Sequence, residues 1–188
     1  MKADTYHHGN LKEELIEKGL EYIDKYGTET LSMRKLADSA GVSPAAPYAH
    51  FKNKEAFLSE VRDYITNQFF ATLKEAADNC SKQERILLEL GKSYVLFFYE
   101  NPLYYQFLFS LDNIDVETYA PFVFFKRTAE EVLKNLLGKK ADKKTIHAKV
   151  IALWSLVHGL SSIVTIKGVI DTEHLEEEVE RILGSISI

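Results

Sequence analysis

The sequence predicts an all-α protein of about nine helices, on three observations. Apolar residues recur at intervals of three and four, and no segment alternates with period two for long. Helix stops punctuate these segments at Gly27, Asn101-Pro102, Gly138 and Gly168. Between Leu31 and Phe57, two short helical segments are joined by a tight glycine turn.

Residues 10–26 form the first helix, with Leu11, Leu15, Ile16, Leu20 and Ile23 along one face and Gly27 behind it. The first short helix opens at Ser32, a capping residue, and carries Met33, Leu36, Ala37 and Ala40 on one side. Gly41 suits the left-handed position that closes a helix, and Val42 buries beneath the turn. Ser43-Pro44 then starts a second short helix, Ser43 as cap and Pro44 at the first helical position, where a missing N–H costs little. Pro47 lies inside that helix. It removes one helical hydrogen bond and biases Ala46 away from the helical region, so a tight or distorted first turn is expected. Tyr48 and Phe51 anchor the far end in a small core.

A long helix over about 54–77 links this part to the rest. Further helices are expected over about 81–100, 102–109, 116–137 (with Pro121 in the first turn or at a kink), 143–167 and 172–184. The expected division is into 1–62 and 63–188.

Helix, sharp turn and helix within about twenty residues is the layout that offers one exposed helix to a DNA groove. Arg34 and Lys35 lie on the first short helix, which in such motifs crosses the phosphate backbone. Tyr48, His50, Lys52 and Lys54 follow the second, and Lys54 sits near a helix start, where free N–H groups favour anions. Ala45, Ala46, Pro47 and Ala49 offer no long side chain to base edges, which leaves Arg34 as the nearby candidate for reading guanine. The polar run Tyr6-His7-His8-Gly9-Asn10 is placed to touch DNA as an arm. Its adjacent histidines diverge in space and lack flanking ligands, so no metal is expected there.

From about Tyr6 to Val61 the sequence resembles the DNA-binding domain of the TetR family of bacterial transcription regulators. The matching residues are Gly27, the run Leu31-Ser32-Met33-Arg34-Lys35-Leu36-Ala37, Ala40-Gly41-Val42-Ser43, Tyr48, His50-Phe51 and Lys54-Glu55-Ala56-Phe57. The resemblance covers about a third of the chain. It implies a homodimer that binds a near-palindromic operator, usually as a repressor, and is released by a small molecule held in the carboxy-terminal part. The residues expected at the DNA are Ser32, Arg34, Ser43, Pro44, Ala45, Ala46, Tyr48, His50 and Lys54.

Charge does not announce a DNA binder. The chain has 23 Lys and Arg against 28 Asp and Glu, a net charge of −5. Residues 1–62 hold 9 basic and 10 acidic side chains, but no acid lies between Ser43 and Lys54. A local basic patch on an acidic body predicts strong salt sensitivity and weak nonspecific affinity. No run approaches the 18 apolar residues of a membrane span, and the first fifteen residues carry no apolar signal segment, so a cytoplasmic protein is expected. Cys80, the single cysteine, excludes an internal disulfide.

The middle of the chain is dense in rings that pack a core and often leave a cavity between them. Phe97, Tyr104, Tyr105, Phe122, Phe125, Trp154 and His158 are the candidates for a pocket wall, and an aromatic pocket argues for an apolar or planar effector. The helix at 143–167 carries three stripes. Ile146, Val150, Leu153, Val157, Leu160 and Val164 are large and apolar, and Ala148, Ala152, Ser155, Gly159 and Ser162 are small. His147, Ile151, Trp154, His158 and Ser161 form the third. A helix apolar on more than one side needs more than one partner: its own domain core and, as expected here, the same helix of a second subunit. Leu153, Ser155, Val157, Gly159 and Leu160, with Val179 and Ile182 of the final helix, are the expected dimer contacts, within a stripe that continues through Leu175 and Ile186. Trp154, His158 and Gly159 also resemble the Trp-His-Gly signature of one TetR-type carboxy-terminal class.

Enzyme chemistry has no footing here. There is no Glu-x-x-His pair, glycine-rich phosphate loop, zinc spacing or nucleophile motif, and no cofactor is expected. The rival reading is a protein of the same fold acting as activator, or as a partner-binding module with weak DNA affinity.

Overall fold

The computed structural model describes residues 11–109, 117–138, 142–166 and 168–185. Among them every regular element is helical. The chain divides into two compact units, 1–65 and 66–188. The arm at Tyr6–Asn10, the helix start at 116, Lys167 and Ile186 lie outside the described residues.

In the first unit α1 (Leu11–Tyr26) buries Leu15, Ile16, Leu20 and Ile23. A 3-10 turn at Thr28–Thr30 leads to α2 (Met33–Ser39), and a second at Ala46–Ala49 leads to the start of α3 (Lys54–Asn79). The core of the unit is completed by Leu31, Met33, Leu36, Phe51, Phe57, Val61 and Ile65. Gly19 lets α1 pass close to Leu36 and Phe57. Lys12 pairs with Glu60 at 2.7 Å, tying α1 to α3 on the outside.

The second unit begins within α3 and is built around α4 (Ile86–Glu100), whose Leu87, Leu90, Tyr94, Val95, Phe97 and Phe98 are buried. Around it lie α5 (Pro102–Phe109), α6 (Ala120–Leu137), α7 (Lys143–Ile163) and α8 (Leu175–Gly184). Phe125, Ala129, Val132 and Leu133 of α6 pack with Ile146 and Val150 of α7. Gly91 lets α4 approach its neighbours, since a Cβ there would meet Leu183 Cδ1 at 2.9 Å and Val157 Cγ1 at 3.3 Å. Beside it, the Lys92 ammonium reaches Glu176 at 3.0 Å and Glu180 at 3.1 Å, and Arg85 also reaches Glu180. The aliphatic stem of Lys92 is buried while its charge is shared among carboxylates of α4 and α8.

Several boundaries differ from expectation for local reasons. The helix expected over 81–100 opens with a 3-10 turn, Gln83–Arg85, before α4 proper. Pro121 sits at the amino-terminal end of α6, where its missing N–H costs little. α7 stops at Ile163 rather than continuing to 167. α8 begins at Leu175 rather than 172, because the Glu173 N–H donates to the Asp171 carboxylate at 2.9 Å and holds that turn out of the helix. Among the described residues α7 alone is long and apolar enough to cross a membrane by length and composition, although the sequence has no unbroken apolar run of that length.

Candidate nucleic-acid interface and carboxy-terminal cluster

The turn of the first unit is closed by its own backbone. Ser32 caps α2, its hydroxyl accepting from the Lys35 N–H at 3.3 Å. At the other end Gly41 takes φ +67°, the Val42 N–H donates to the Ala37 carbonyl at 3.0 Å, and the Gly41 N–H donates to Asp38 at 3.3 Å. That pair of bonds is the Schellman closure, and it needs a residue free to adopt positive φ.

The second short helix is not an α-helix capped by Ser43. It is a turn followed by a 3-10 helix at Ala46–Ala49. Ala46 N–H donates to Ser43 O at 2.9 Å, and Tyr48 N–H donates to Ala45 O at 3.1 Å. Pro47 has no N–H to offer Ser43 in the helical manner, so the Ser43 carbonyl is taken one residue earlier. Pro47 itself is buried. Ser43, Pro44, Ala45, Tyr48, Ala49 and His50 are exposed and Ala46 is half-buried, so the segment presents its small side chains and one phenol to solvent.

Two of the cations around the turn already serve the fold. Lys54 Nζ donates to the Thr28 carbonyl at 2.7 Å, and Lys35 Nζ donates to the Thr30 carbonyl at 2.8 Å. Thr30 in turn donates to the carbonyls of Tyr26 and Gly27. The loop between α1 and α2 is thus a knot of carbonyls held by two ammonium groups. Lys54 remains half-buried at its helix start, whereas Ser32, Arg34 and Lys52 are exposed.

In the second unit most of the rings marked in the sequence converge on Trp154 and His158. Tyr94 stands edge-on to Trp154 at 5.1 Å, Phe122 at 4.9 Å and Phe125 at 5.3 Å. Tyr105 lies 5.2 Å from the His158 ring and Phe109 lies 4.6 Å from it. The Tyr94 hydroxyl and His158 Nδ1 are hydrogen-bonded at 3.0 Å, and the Tyr105 hydroxyl donates to the His158 carbonyl at 3.2 Å. Burial pushes the Tyr94 hydroxyl well above its usual pKa and lowers that of His158, so the phenol stays protonated and the imidazole neutral. Phe97 is buried against Phe69 and Phe98, at 5.1 Å from each, and lies 6.0 Å from Tyr104. A separate apolar cleft of roughly 650 Å³, open mouth included, is lined by Leu87, Leu88, Phe125, Leu153, Leu156 and Leu183 among others. Of the seven pocket candidates only Phe125 reaches it.

Residues 15–61 match the family model of the bacterial regulatory proteins of the tetR family. An uncharacterized HTH-type transcriptional regulator of Haemophilus influenzae is 29% identical over 93 residues, half of this chain and half of that protein's own length. The uncharacterized HTH-type transcriptional regulator YobS of Bacillus subtilis is 26% identical over 174 residues, 92% of this chain and 85% of its own. A structure of a protein with unknown function from Rhodococcus sp. RHA1 superimposes with a TM-score of 0.78 at 23% identity, covering 97% of this chain and 96% of that one, which shows the shared fold. Over residues 15–61 the chain is thus similar to the tetR family, and over its length it shares the fold of these proteins.

α7 sorts its stripes differently from expectation. Val157, Leu160 and Val179 are 3%, 6% and 0% exposed, packed into the core of their own unit. They are therefore removed from the expected dimer contacts: the large apolar seam turns inward because α4 and α6 need it. Leu153 and Ile182 are half-buried. Beyond its charged first turn and His147, α7 leaves in solvent the small stripe, Ala148, Ala152, Ser155, Gly159 and Ser162, together with Ile151 and Ile163.

Sequence reasoning missed Thr28 and Thr30, whose carbonyls hold Lys54 and Lys35, and it missed Tyr94 as the partner of His158. Only the last carried a signal, as a tyrosine in the ring-dense middle of the chain. The structure also brings Asp171, Glu173 and His174 together with ligand atoms within 4.8 Å, all three exposed at the surface.

Proposed function

We propose that the protein is a homodimeric, ligand-responsive repressor of a palindromic operator, cytoplasmic and without catalytic activity. The observation that carries the reading is the Schellman-closed turn followed by an exposed 3-10 segment whose flanks hold no acid between Ser43 and Lys54. In this reading Ser43, Tyr48 and His50 contact phosphates, and Arg34 and Ser32 contact the backbone from α2. Two copies meet through the exposed small stripe of α7, where Ala152, Ser155 and Gly159 allow close helix approach beside the exposed Ile151. The two reading segments then address half-sites about one helical turn, roughly 34 Å, or a multiple apart.

The effector in this reading is a small apolar or planar compound admitted to the ring cluster around Trp154 and His158, in a domain of the Trp-His-Gly type. It acts only by binding one arrangement of the dimer better than the other. α3, which supplies residues to both units, is the element through which the difference is passed.

Selection of bound duplexes from a random pool at moderate salt tests the reading. Recovery of one palindromic site is expected, and failure of a folded, dimeric protein to enrich any sequence would sink it. The shortness of the exposed side chains at Ala45, Ala46 and Ala49 favours, as a second reading, a partner-binding module with weak DNA affinity. Nanomolar binding to the selected site would exclude that.

A further inference from the structure

We propose that the 3-10 segment reads its operator through the 5-methyl groups of thymine, and that Pro47 is the residue that sets the geometry of this reading. The inference rests on the DNA-binding reading above. It starts from what the segment exposes: the ring of Pro44 and the methyl groups of Ala45 and Ala49, with Ala46 half-buried beside them. None of these can donate to or accept from a base edge. In the major groove the one apolar feature that distinguishes base pairs is the thymine methyl. Ser43 and His50 flank these groups and suit phosphates, and Tyr48, between Ala45 and Ala49, carries a phenol long enough to extend past the short methyls towards a phosphate.

Pro47 decides where those methyls stand. Ala46, Tyr48 and His50 N–H each donate three residues back, to Ser43, Ala45 and Pro47, while Phe51 N–H donates to Pro47 O at 2.9 Å, four residues back, where the segment ends. A 3-10 helix rises about 2.0 Å and turns about 120° per residue, against about 1.5 Å and 100° in an α-helix. Across the four steps from Ala45 to Ala49 the difference amounts to about 2 Å of rise and about 80° of rotation. In this form side chains three apart eclipse, so Ala46 lies in line with Ala49, and Ala45 with Tyr48. An α-helical segment with the same residues would point Ala49 in a different direction relative to Ala45. The buried Pro47 holds the 3-10 form by withholding the N–H an α-helix would use.

The test uses the duplex selected by the full-length protein. Each thymidine is replaced in turn by 2′-deoxyuridine, which removes only the methyl group, and affinity is measured at fixed salt. At least one position per half-site should lose roughly fourfold, the worth of one buried methyl-sized group, and Ala45→Gly or Ala49→Gly should abolish the loss at one of those positions. Uniform tolerance of deoxyuridine along the site would overturn the methyl reading. Pro47→Ala and the bulkier Pro47→Leu, each checked for folding by thermal melting, should select a different consensus. An unchanged consensus and deoxyuridine profile from a folded variant would overturn the role of Pro47. If the unaltered protein selects no duplex, the regulator reading fails first, and this inference with it.

Discussion

Gly19 and Phe57 lie so close that a Cβ on Gly19 would sit 2.2 Å from Phe57 Cζ, with Leu36 Cδ1 at 3.1 Å. A glycine in mid-helix ordinarily costs stability, yet here it lets α1 settle onto the ring at the root of α3. Phe57 is fully buried and edge-on to Phe51 at 5.1 Å, so the ring has no room to swing away. Gly19→Ala should therefore destabilise the first unit by about 1–3 kcal/mol or more, through overpacking, despite its better helix propensity. Denaturant midpoints read by a probe in that unit check this; an unchanged midpoint would mean the contact yields more easily than the packing indicates.

Lys54 should behave as a fold residue before it behaves as a phosphate ligand. Its ammonium donates to the Thr28 carbonyl at 2.7 Å in a half-buried setting. Lys54→Met should cost about 1.5–3 kcal/mol, the usual worth of a hydrogen bond to a charged group. The salt dependence of operator binding separates the two roles: a lost phosphate contact lowers the slope of log affinity against log salt by about one, whereas a fold defect lowers affinity at constant slope.

His158 should make stability depend on pH. Burial lowers its pKa below the ordinary 6.5, so as pH falls the unfolded chain takes up this proton before the folded one does. Stability from this group is present above about pH 6.5 and is lost progressively as pH drops towards the lowered folded-state value. Urea midpoints should fall between about pH 7.5 and about pH 5.5, and His158→Gln should flatten that part of the curve. An identical pH dependence in the variant would place the titration elsewhere.

The faces of α7 predict opposite outcomes for the same substitution. Ser155→Arg adds a long charge to an exposed position and should leave a folded protomer that no longer self-associates in sedimentation. Val157→Arg puts the charge where only 3% of the side chain is exposed and should prevent folding. A Ser155→Arg protein that still sediments as a dimer would move the interface off this stripe.

The helical class, most helix limits to within a few residues and the turn at Gly41 are legible in the residues alone. These are local matters: 3.6-residue periodicity, caps and a left-handed glycine are written within a few positions of where they act. Ser32 and Gly41 could be assigned their roles for that reason, and the family resemblance was carried by the same short stretch. The tertiary structure alone decided which stripe of α7 faces inward, because two apolar stripes on one helix are equivalent until α4 and α6 claim one of them. It also decided that Lys54 binds Thr28 across 26 residues and that Tyr94 meets His158 across 64. Pro47 stood at the boundary between the two: its missing N–H was legible, but the 3-10 form followed only once its ring was buried under the turn.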